Sequence, residues 1–338
     1  MPKYASRSLR KLLSLAIFGI VAAGAYGAWY AFTPVPASTL PVAFEVPPGS
    51  GLRATVRVLE KAGLEVRPLH FEIYARLTGR AGAIKAGNYE VAAPSSPAEI
   101  LDKLTRGAVM QAELRIIEGW NFSQLRASLD ASPYLRHDTE GLSEADLLAR
   151  VGATERHPEG LFFPDTYLFA RGSSDLAVLR RAYRAMQHHL AGEWALRAAD
   201  VPYKTPYDAL VMASIVEKET GRGEERDQIA GVLVNRLRIG MALQADPTVI
   251  YGLGKEFDGN LKRVHLNTDG PYNTYTRPGL PPTPIALPGR ASLRAALRPA
   301  QTKALYYVSR GDGTSQFSRN LEEHNRAVSK YQLQPRKK

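Results

Sequence analysis

A charge-free apolar segment near the N-terminus limits the architecture of this chain more than any other feature. Residues 12–32 contain no Asp, Glu, Lys or Arg, and a helix of that length reaches about 30 Å, the thickness of the hydrocarbon core of a bilayer. Four basic and no acidic side chains lie in residues 1–11, and such a basic flank is retained in the cytoplasm. The sequence therefore predicts a cytoplasmic tail at 1–11, a single transmembrane helix at 12–32 and an extracytoplasmic location for the rest of the chain.

The C-terminal end of this segment has the features of a membrane exit. Trp29 and Tyr30 carry aromatic rings of the kind that favour the membrane interface, and Pro34 and Pro36 end the helix. A cleaved signal peptide is the alternative, with Ala-Gly-Ala at 23–25 as its cleavage site. Signal peptides, however, have an apolar region of about 7–15 residues. The length of the segment therefore favours an uncleaved anchor.

The distribution of charge argues against a nucleic-acid partner. The chain has 44 Lys and Arg against 33 Asp and Glu, a formal net charge of +11, but residues 1–11 and 336–338 contribute seven of these positive charges. The remainder has no basic stripe with interleaved aromatic residues, whereas nucleic-acid-binding domains concentrate Lys and Arg on one face. The sequence therefore predicts no nucleic-acid binding.

Composition also restricts the chemistry that is open to this chain. It contains no cysteine, which excludes disulfides, thiol nucleophiles and cysteine-ligated zinc. Its seven histidines lack the His-Glu-x-x-His spacing of zinc enzymes, and the sequence has neither a Walker loop nor a dinucleotide-binding fingerprint. We therefore expect no metal and no cofactor, and we expect extracytoplasmic substrates such as cell wall, lipid or exported protein.

The residues after the anchor predict an α+β fold in two parts. Residues 41–108 show the pattern strand, helix, helix, strand, helix, and the second strand carries Gly-x-Tyr-x-Val at 87–91. This order resembles the small LysM wall-binding fold, although a structural spacer without a ligand is an equally good interpretation. Residues 109–335 form a larger α+β domain, in which we expect the catalytic residues.

One buried helix in the larger domain ends in acidic residues. Residues 207–216 are apolar almost all round, which is typical of a helix inside a domain, and Glu217 and Glu219 follow. At 100° per residue the two carboxyls point about 200° apart, so one cleft cannot hold both. Burial and the negative helix end both raise a carboxyl pKa above its reference of about 4.3, as a general acid requires. A solvated Glu-Lys-Glu helix end is the alternative, and the local pattern alone favours it.

Four segments of this domain carry a more specific pattern. They are ASIVEKET at 213–220, GVLVNRLRIGMALQADPTVIYGLG at 231–254, YNTYTRPGLPPTPIALPG at 272–289 and EGLFFPDTYLF at 159–169. Together they closely resemble the YceG-like endolytic murein transglycosylase family, and the likeness continues to HNRAV at 324–328. It covers nearly the whole chain and depends on four motifs in register.

This resemblance implies a single-pass protein of the cell inner membrane whose periplasmic domain cuts nascent peptidoglycan glycan strands internally. The family cleaves between N-acetylmuramic acid and N-acetylglucosamine and leaves 1,6-anhydro ends. Its catalytic glutamate is expected at Glu217, and Glu219 is the second choice. The resemblance further implies control of glycan-strand length and partnership with penicillin-binding protein synthases, without a metal or cofactor.

Polar and aromatic residues of the same motifs are expected to form the cleft. The candidate substrate-binding residues are Asn235, Arg236, Gln244, Asp246, Tyr272, Asn273 and Tyr275, and the candidates for a supporting role are Glu219, Asp165 and Glu159. Amide, guanidinium and carboxylate groups hydrogen-bond to sugars, and aromatic rings pack on their faces. A purely structural role is the alternative for each. Pro247 also indicates a fixed, non-helical turn at Asp246.

Two other functions remain open. A lysozyme-type muramidase would use the same acid with water as the nucleophile, and its product would be a reducing end in place of an anhydro end. A non-catalytic scaffold would bind peptidoglycan and recruit other wall-assembly proteins. These three functions predict different products from the same glycan substrate.

Overall fold

A computed structural model describes residues 3–333 of the chain, with side chains from Arg10 onward. The basic residues at 336–338 and the end of the predicted domain 109–335 lie outside this range. The described chain mixes helices with short strands, which confirms the helix and strand content of the predicted class. It forms two compact units. Unit 1 is the chain up to Ala112 with Leu168–Ser173, and unit 2 is Glu113–Tyr167 with the chain from Ser174 onward.

Helix α1 (Lys3–Phe32) contains the predicted membrane span. Its segment Arg10–Phe32 has 23 residues and a mean hydropathy of 1.8, so it is long and apolar enough to cross a membrane. The large side chains of Leu12, Phe18 and Ile20 are mostly exposed. An apolar surface of this extent marks a region that is covered by lipid or by another protein.

Unit 1 also contains the predicted strand, helix, helix, strand, helix order. Its elements are β1 (Val42–Val46), α2 (Leu52–Lys61), α3 (Pro68–Leu77), β2 (Gly87–Val91) and α4 (Pro97–Arg106). The two strands pair antiparallel with Phe44 opposite Tyr89, and these rings stack at 5.8 Å between centroids. The element order is therefore confirmed, while the likeness to LysM stays a prediction.

The core of unit 1 follows from the alternation of side chains along β1. Val42, Phe44 and Val46 are buried, and the residues between them are exposed, because successive side chains of a strand point to opposite faces. Leu59, Leu101 and other aliphatic side chains of the helices cover the buried face. Unit 1 therefore has a hydrophobic core of its own.

Unit 2 consists mainly of helices. They are α5 (Phe122–Asp130), α6 (Glu144–Val151), α7 (Asp175–Ala195), α8 (Pro206–Glu219), α9 (Arg226–Arg238), α10 (Asp246–Leu253), α11 (Arg263–Asn267), α12 (Arg290–Leu297) and α13 (Leu321–Tyr331). An antiparallel hairpin of β7 (Tyr306–Ser309) and β8 (Ser315–Ser318) precedes α13. Three short strands contain the positions where the chain passes from one unit to the other, namely β3 (Gln111–Arg115), β5 (Thr166–Ala170) and β6 (Ser173–Ser174), and β4 (Leu135–Arg136) lies within unit 2.

Helix α8 is the centre of unit 2, as its apolar sequence predicts. Every residue from 209 to 216 is buried, and α7, α9, α10 and α12 pack around it. The helix begins at a capping box in which Thr205 and Asp208 satisfy each other's backbone N–H groups, followed by Pro206 in the first turn. Packing on all sides fixes the direction in which the last residues of α8 point.

The predicted non-helical turn at Asp246 is wrong. Asp246 is the first residue of α10, with Ala245 as the N-cap and Pro247 in the first turn. Proline is tolerated there because the first N–H groups of a helix have no partner within it. Proline restricts the backbone conformation of the residue before it, and the first residue of a helix can meet this restriction, as Asp246 does here.

Substitution of Gly160 tests the packing of unit 2. Gly160 has φ +80°, and a Cβ at this position would overlap the ring carbons of Pro284. We expect Gly160→Ala to destabilise unit 2 by about 3 kcal/mol. Alanine is strained at this positive φ, and its Cβ would also overlap a rigid ring. Gly240→Ala is the matched control, since Gly240 has φ +69° and no described atom within 4 Å of that Cβ. Equal losses in urea denaturation of the two variants would contradict the overlap.

Candidate active site

A cavity of about 420 Å³ lies at the C-terminal end of α8. Polar and aromatic side chains dominate its lining, which consists of Glu219, Arg236, Gln244, Asp246, Tyr275, Tyr306, Tyr307, Leu321, His324 and Asn325. Five of these were predicted from the sequence as site residues. Within residues 3–333, no three His, Asp or Glu side chains are grouped so that they hold a metal ion.

Glu219 is the last residue of α8 and one of the two acids that line this cavity. Burial raises the pKa of its carboxyl to about 7. A hydrogen bond from Tyr307 and the charge of Arg236 lower this pKa, and the negative charge of Asp246 raises it. A carboxyl with a pKa near 7 is protonated in an appreciable fraction of molecules at neutral pH, which is the requirement for a general acid.

Tyr307 holds the Glu219 carboxyl from the strand β7. Burial and the nearby Glu219 raise the pKa of the Tyr307 phenol well above its ordinary value of 10, so its hydroxyl stays protonated and donates to the carboxylate. A donor in this position orients the carboxyl and favours its ionised form. Tyr307 therefore favours the ionised form of Glu219, whereas burial favours the protonated form.

A second carboxylate of the cavity, Asp246, is held in a similar way. The Tyr275 hydroxyl donates a hydrogen bond to Asp246 Oδ1, and burial together with this bond raises the pKa of Tyr275 above its usual range. The preceding Gln244 has φ +51°, an uncommon conformation for a residue with a side chain, and its N–H donates to the Thr274 carbonyl at 3.0 Å. Strained backbone of this kind clusters at functional sites.

Arg236 joins the walls of the cavity to each other. Its Nε donates to the carbonyl of Leu305 at 2.6 Å, and its Nη1 donates to the carbonyl of Leu243 at 2.7 Å. Its guanidinium carbon lies 5.1 Å from the centre of the Tyr306 ring. The side chain is buried, so Arg236 both holds the backbone around the cavity and supplies its positive charge.

Glu217, the acid preferred from the sequence, does not line this cavity. Its Oε2 accepts a hydrogen bond from the Gly289 N–H at 2.9 Å, and its Oε1 lies 3.9 Å from Nη2 of Arg226. The two acids of α8 therefore point to different places, in agreement with the angle of about 200° between them. The geometry favours Glu219, the second choice, as the acid of the site.

Comparison with known proteins places these residues in a family. A sequence profile of the YceG-like family matches residues 44–330, which include all ten residues of the cavity. The chain belongs to the YceG-like family.

Two proteins of similar sequence carry the same name. A Bacillus subtilis protein named endolytic murein transglycosylase is 31% identical over 307 residues, covering 86% of this chain and 84% of that protein. A Streptococcus pneumoniae protein of the same name is 27% identical over 321 residues, covering 85% of this chain and 57% of the relative. A crystal structure of a yceG-like protein from Listeria monocytogenes is 31% identical, with a TM-score of 0.53, covering 85% of this chain and 98% of that one. The YceG-like fold therefore accounts for most of this chain.

Some predicted site residues of this YceG-like chain have structural roles outside the cavity. Asn235 donates to the carbonyls of Thr302 and Ala304, and the buried Asn273 donates to three carbonyls at the C-terminal end of α11. Asp165 is exposed and lines neither this cavity nor the larger one described below. Tyr272 and Glu159 line the larger cavity.

Several residues that complete the YceG-like cavity were not predicted from the sequence. Tyr306 and Tyr307 come from β7, and Leu321 and His324 come from α13. The Tyr306 and His324 rings stack at 5.1 Å between centroids. The adjacent tyrosines are visible in the sequence, but alternation along a strand predicts that they face opposite sides, whereas both line this cavity. The segments that pack against each tyrosine are distant in the chain, so a local sequence pattern does not reveal them.

Proposed function

We propose that this chain is a membrane-anchored lytic transglycosylase that cuts peptidoglycan glycan strands internally, with Glu219 as its general acid and base. The observation that carries the proposal is the Glu219 carboxyl, whose pKa burial raises to about 7 inside a polar cavity. Membership of the YceG-like family, and the name endolytic murein transglycosylase of the similar proteins from B. subtilis and S. pneumoniae, support the substrate class.

The first step of the proposed reaction is protonation of the leaving oxygen. Protonated Glu219 donates its proton to the glycosidic oxygen between N-acetylmuramic acid and N-acetylglucosamine. The bond from the muramic C1 to that oxygen then breaks, and the electron pair stays with the leaving sugar as a neutral hydroxyl. Tyr307, which donates to the carboxylate, stabilises the negative charge that develops on Glu219.

The second step closes a ring and restores the acid. The 6-hydroxyl of the same muramic acid attacks C1, and the Glu219 carboxylate accepts the hydroxyl proton. The new bond between O6 and C1 gives a 1,6-anhydro end without consumption of water. Because the nucleophile belongs to the substrate, its high effective molarity replaces the second carboxylate that most glycosidases use.

Asp246 has an electrostatic role in this proposal. Positive charge develops at C1 and the ring oxygen when the glycosidic bond breaks. Asp246 is fixed by the Tyr275 hydroxyl at the edge of the same cavity. A preorganised negative charge stabilises such a transition state without reorganisation of the site during the reaction.

Helix α1 supplies the location that this substrate requires. We propose that it is a single-pass anchor in the cytoplasmic membrane, with its N-terminus in the cytoplasm and unit 2 on the side where peptidoglycan lies. The basic flank of residues 1–11 and the exposed apolar surface of the helix support this orientation. In this proposal unit 1, with its LysM-like order of elements, lies next to the membrane and contributes to glycan binding.

Product analysis tests the proposed reaction. The full-length protein in detergent micelles is incubated with uncross-linked glycan strands, and the products are identified by mass spectrometry. We expect internal fragments with 1,6-anhydro ends. Reducing ends would identify a muramidase that uses water. Glycan binding without cleavage by the folded protein would instead support the scaffold, since an enzyme would convert its bound substrate.

A further inference from the structure

A larger cavity of about 980 Å³ in unit 2 has no role in the reaction described above. It shares no lining residue with the Glu219 cavity, but the two approach each other closely. Lys218 lines the larger cavity and Glu219 the smaller, and Pro247 lines the larger and Asp246 the smaller. Because consecutive Cα atoms are about 3.8 Å apart, the end of α8 and the start of α10 form a thin wall between the two cavities.

The lining of the larger cavity has the chemistry of a saccharide site. Tyr251 and Tyr272 present half-buried rings whose centroids lie 4.9 Å apart at an angle of 63°. The side-chain oxygens of Asn121 and Gln124 accept each other's backbone N–H groups at the start of α5, so their amide groups still have donors to offer. Aromatic faces beside amide donors suit an N-acetylated sugar ring, which has apolar C–H faces and polar edges.

Positive charge in the lining of the larger cavity adds a preference for an acidic substituent on the sugar. Lys255 is exposed at the cavity and has no ion-pair or hydrogen-bond partner among residues 3–333. Lys218 also lines the cavity and donates to the Gly119 carbonyl at 3.3 Å. With Arg126, three basic side chains line the cavity against the carboxyls of Glu144 and Glu159, and this excess of basic groups attracts a carboxylate, such as that of a peptide substituent on the sugar.

Hydrogen bonds hold the side chains of the aromatic wall in place. The buried Glu159 accepts hydrogen bonds from the Phe122 N–H at 3.0 and 3.1 Å and from the Tyr251 hydroxyl at 3.1 Å. The Tyr272 and Thr283 hydroxyls are hydrogen-bonded at 2.8 Å. Preorganised side chains lose little conformational entropy when a ligand binds. Glu159 therefore acts as a positioning residue for Tyr251, a different role from the supporting acid expected from the sequence.

We propose that the larger cavity is a second glycan subsite, which binds a peptide-substituted amino sugar of the same strand whose bond is cut beside Glu219. This inference rests on the proposed function. A strand that occupies both cavities passes across the thin wall between them, so glycan extends to at least one side of the cleaved bond. Such binding favours cleavage within a long strand over cleavage of a short oligosaccharide.

The test compares long strands with the shortest oligosaccharide that the wild-type protein cleaves. Tyr272→Ala removes one aromatic face, and Lys255→Ala removes an exposed charge with little risk to folding. Lys204→Ala is the matched control, because Lys204 is exposed and lines neither cavity. We expect Tyr272→Ala to raise the KM for long strands about tenfold with kcat unchanged, Lys255→Ala to raise it less, and both to match wild type on the short substrate.

Two results would overturn the subsite. One is an equal loss on long and short substrates by folded variants, and the other is no change in KM for either variant. Glycan affinity, measured by calorimetry with the full-length protein, separates this outcome from failure of the proposed reaction. If the wild-type protein binds strands but does not cleave them, the reaction fails, whereas a weaker affinity of Tyr272→Ala still supports the subsite.

Discussion

Glu219→Gln is expected to lower kcat/KM for glycan cleavage by about 10³-fold or more while the protein stays folded. The substitution keeps the shape of the side chain and removes the proton that the leaving oxygen needs, and general acid catalysis contributes about 10²–10⁴-fold. The measurement is the rate of formation of anhydro ends, with thermal denaturation as the check on folding. The glutamine amide oxygen still accepts the hydrogen bond from Tyr307, so the cavity keeps its shape. The affinity for glycan should therefore match that of the wild type.

Glu217→Gln is the matched control for this experiment. Both positions belong to the same motif, but Glu217 lies outside the cavity and accepts from the Gly289 N–H. We expect its activity to stay within about tenfold of wild type, because an amide oxygen preserves that hydrogen bond. The opposite result, with loss of cleavage in Glu217→Gln alone, would return the catalytic role to Glu217.

The role of Glu219 as the general acid predicts how the activity depends on pH. The raised pKa of Glu219, about 7, means that the acid is protonated below that pH and loses its proton above it. The kcat/KM should therefore decline as the pH rises through about 7. Tyr307→Phe removes a hydrogen bond that lowers this pKa, so the decline should move to higher pH. A shift to lower pH in that variant would contradict the assignment.

Arg236→Met is expected to give the largest loss of stability among the variants of the cavity. Its guanidinium satisfies the buried carbonyl of Leu243 and the partly buried carbonyl of Leu305, and methionine fills a similar volume without a donor. Each buried acceptor left without a partner costs about 1–3 kcal/mol, so we expect a loss of about 3 kcal/mol for unit 2. Because a domain of this size changes by roughly 2–4 °C per kcal/mol, the melting temperature should fall by roughly 10 °C.

Arg236→Lys distinguishes the two contributions of this side chain. Lysine keeps the charge but has no planar fork that reaches two separate carbonyls. We expect it to recover part of the activity of the cavity and less than half of the stability. Stability equal to wild type in Arg236→Met would show that the two carbonyls find other partners, and the structural role of Arg236 would then be wrong.

Predictions from the sequence were most accurate where a pattern is local. The structure contains a long apolar helix over residues 12–32, the predicted order of elements in 41–108 and the buried helix ahead of Glu217. Each depends on neighbours along the chain, such as apolar periodicity and proline positions. The four motifs also identified the family, because four patterns in register are much more specific than any one of them.

Local patterns did not determine which candidate residues meet. Asn235 and Asn273 have the side chains of sugar-binding residues, but the structure uses them to hold backbone carbonyls. Tyr307, by contrast, completes the cavity from a hairpin far along the chain. Residue type states which hydrogen bonds a side chain can form, and only the packing of distant segments decides which of them are used.

The choice between the two acids shows this limit most clearly. The sequence by itself determined that Glu217 and Glu219 end one helix and point about 200° apart, because helical geometry fixes their relative angle. It did not determine which acid points into a cavity, since a helix that is apolar all round has no polar face to orient it. The tertiary structure decided this, because β7, α9, α10 and α13 contribute the groups that surround Glu219.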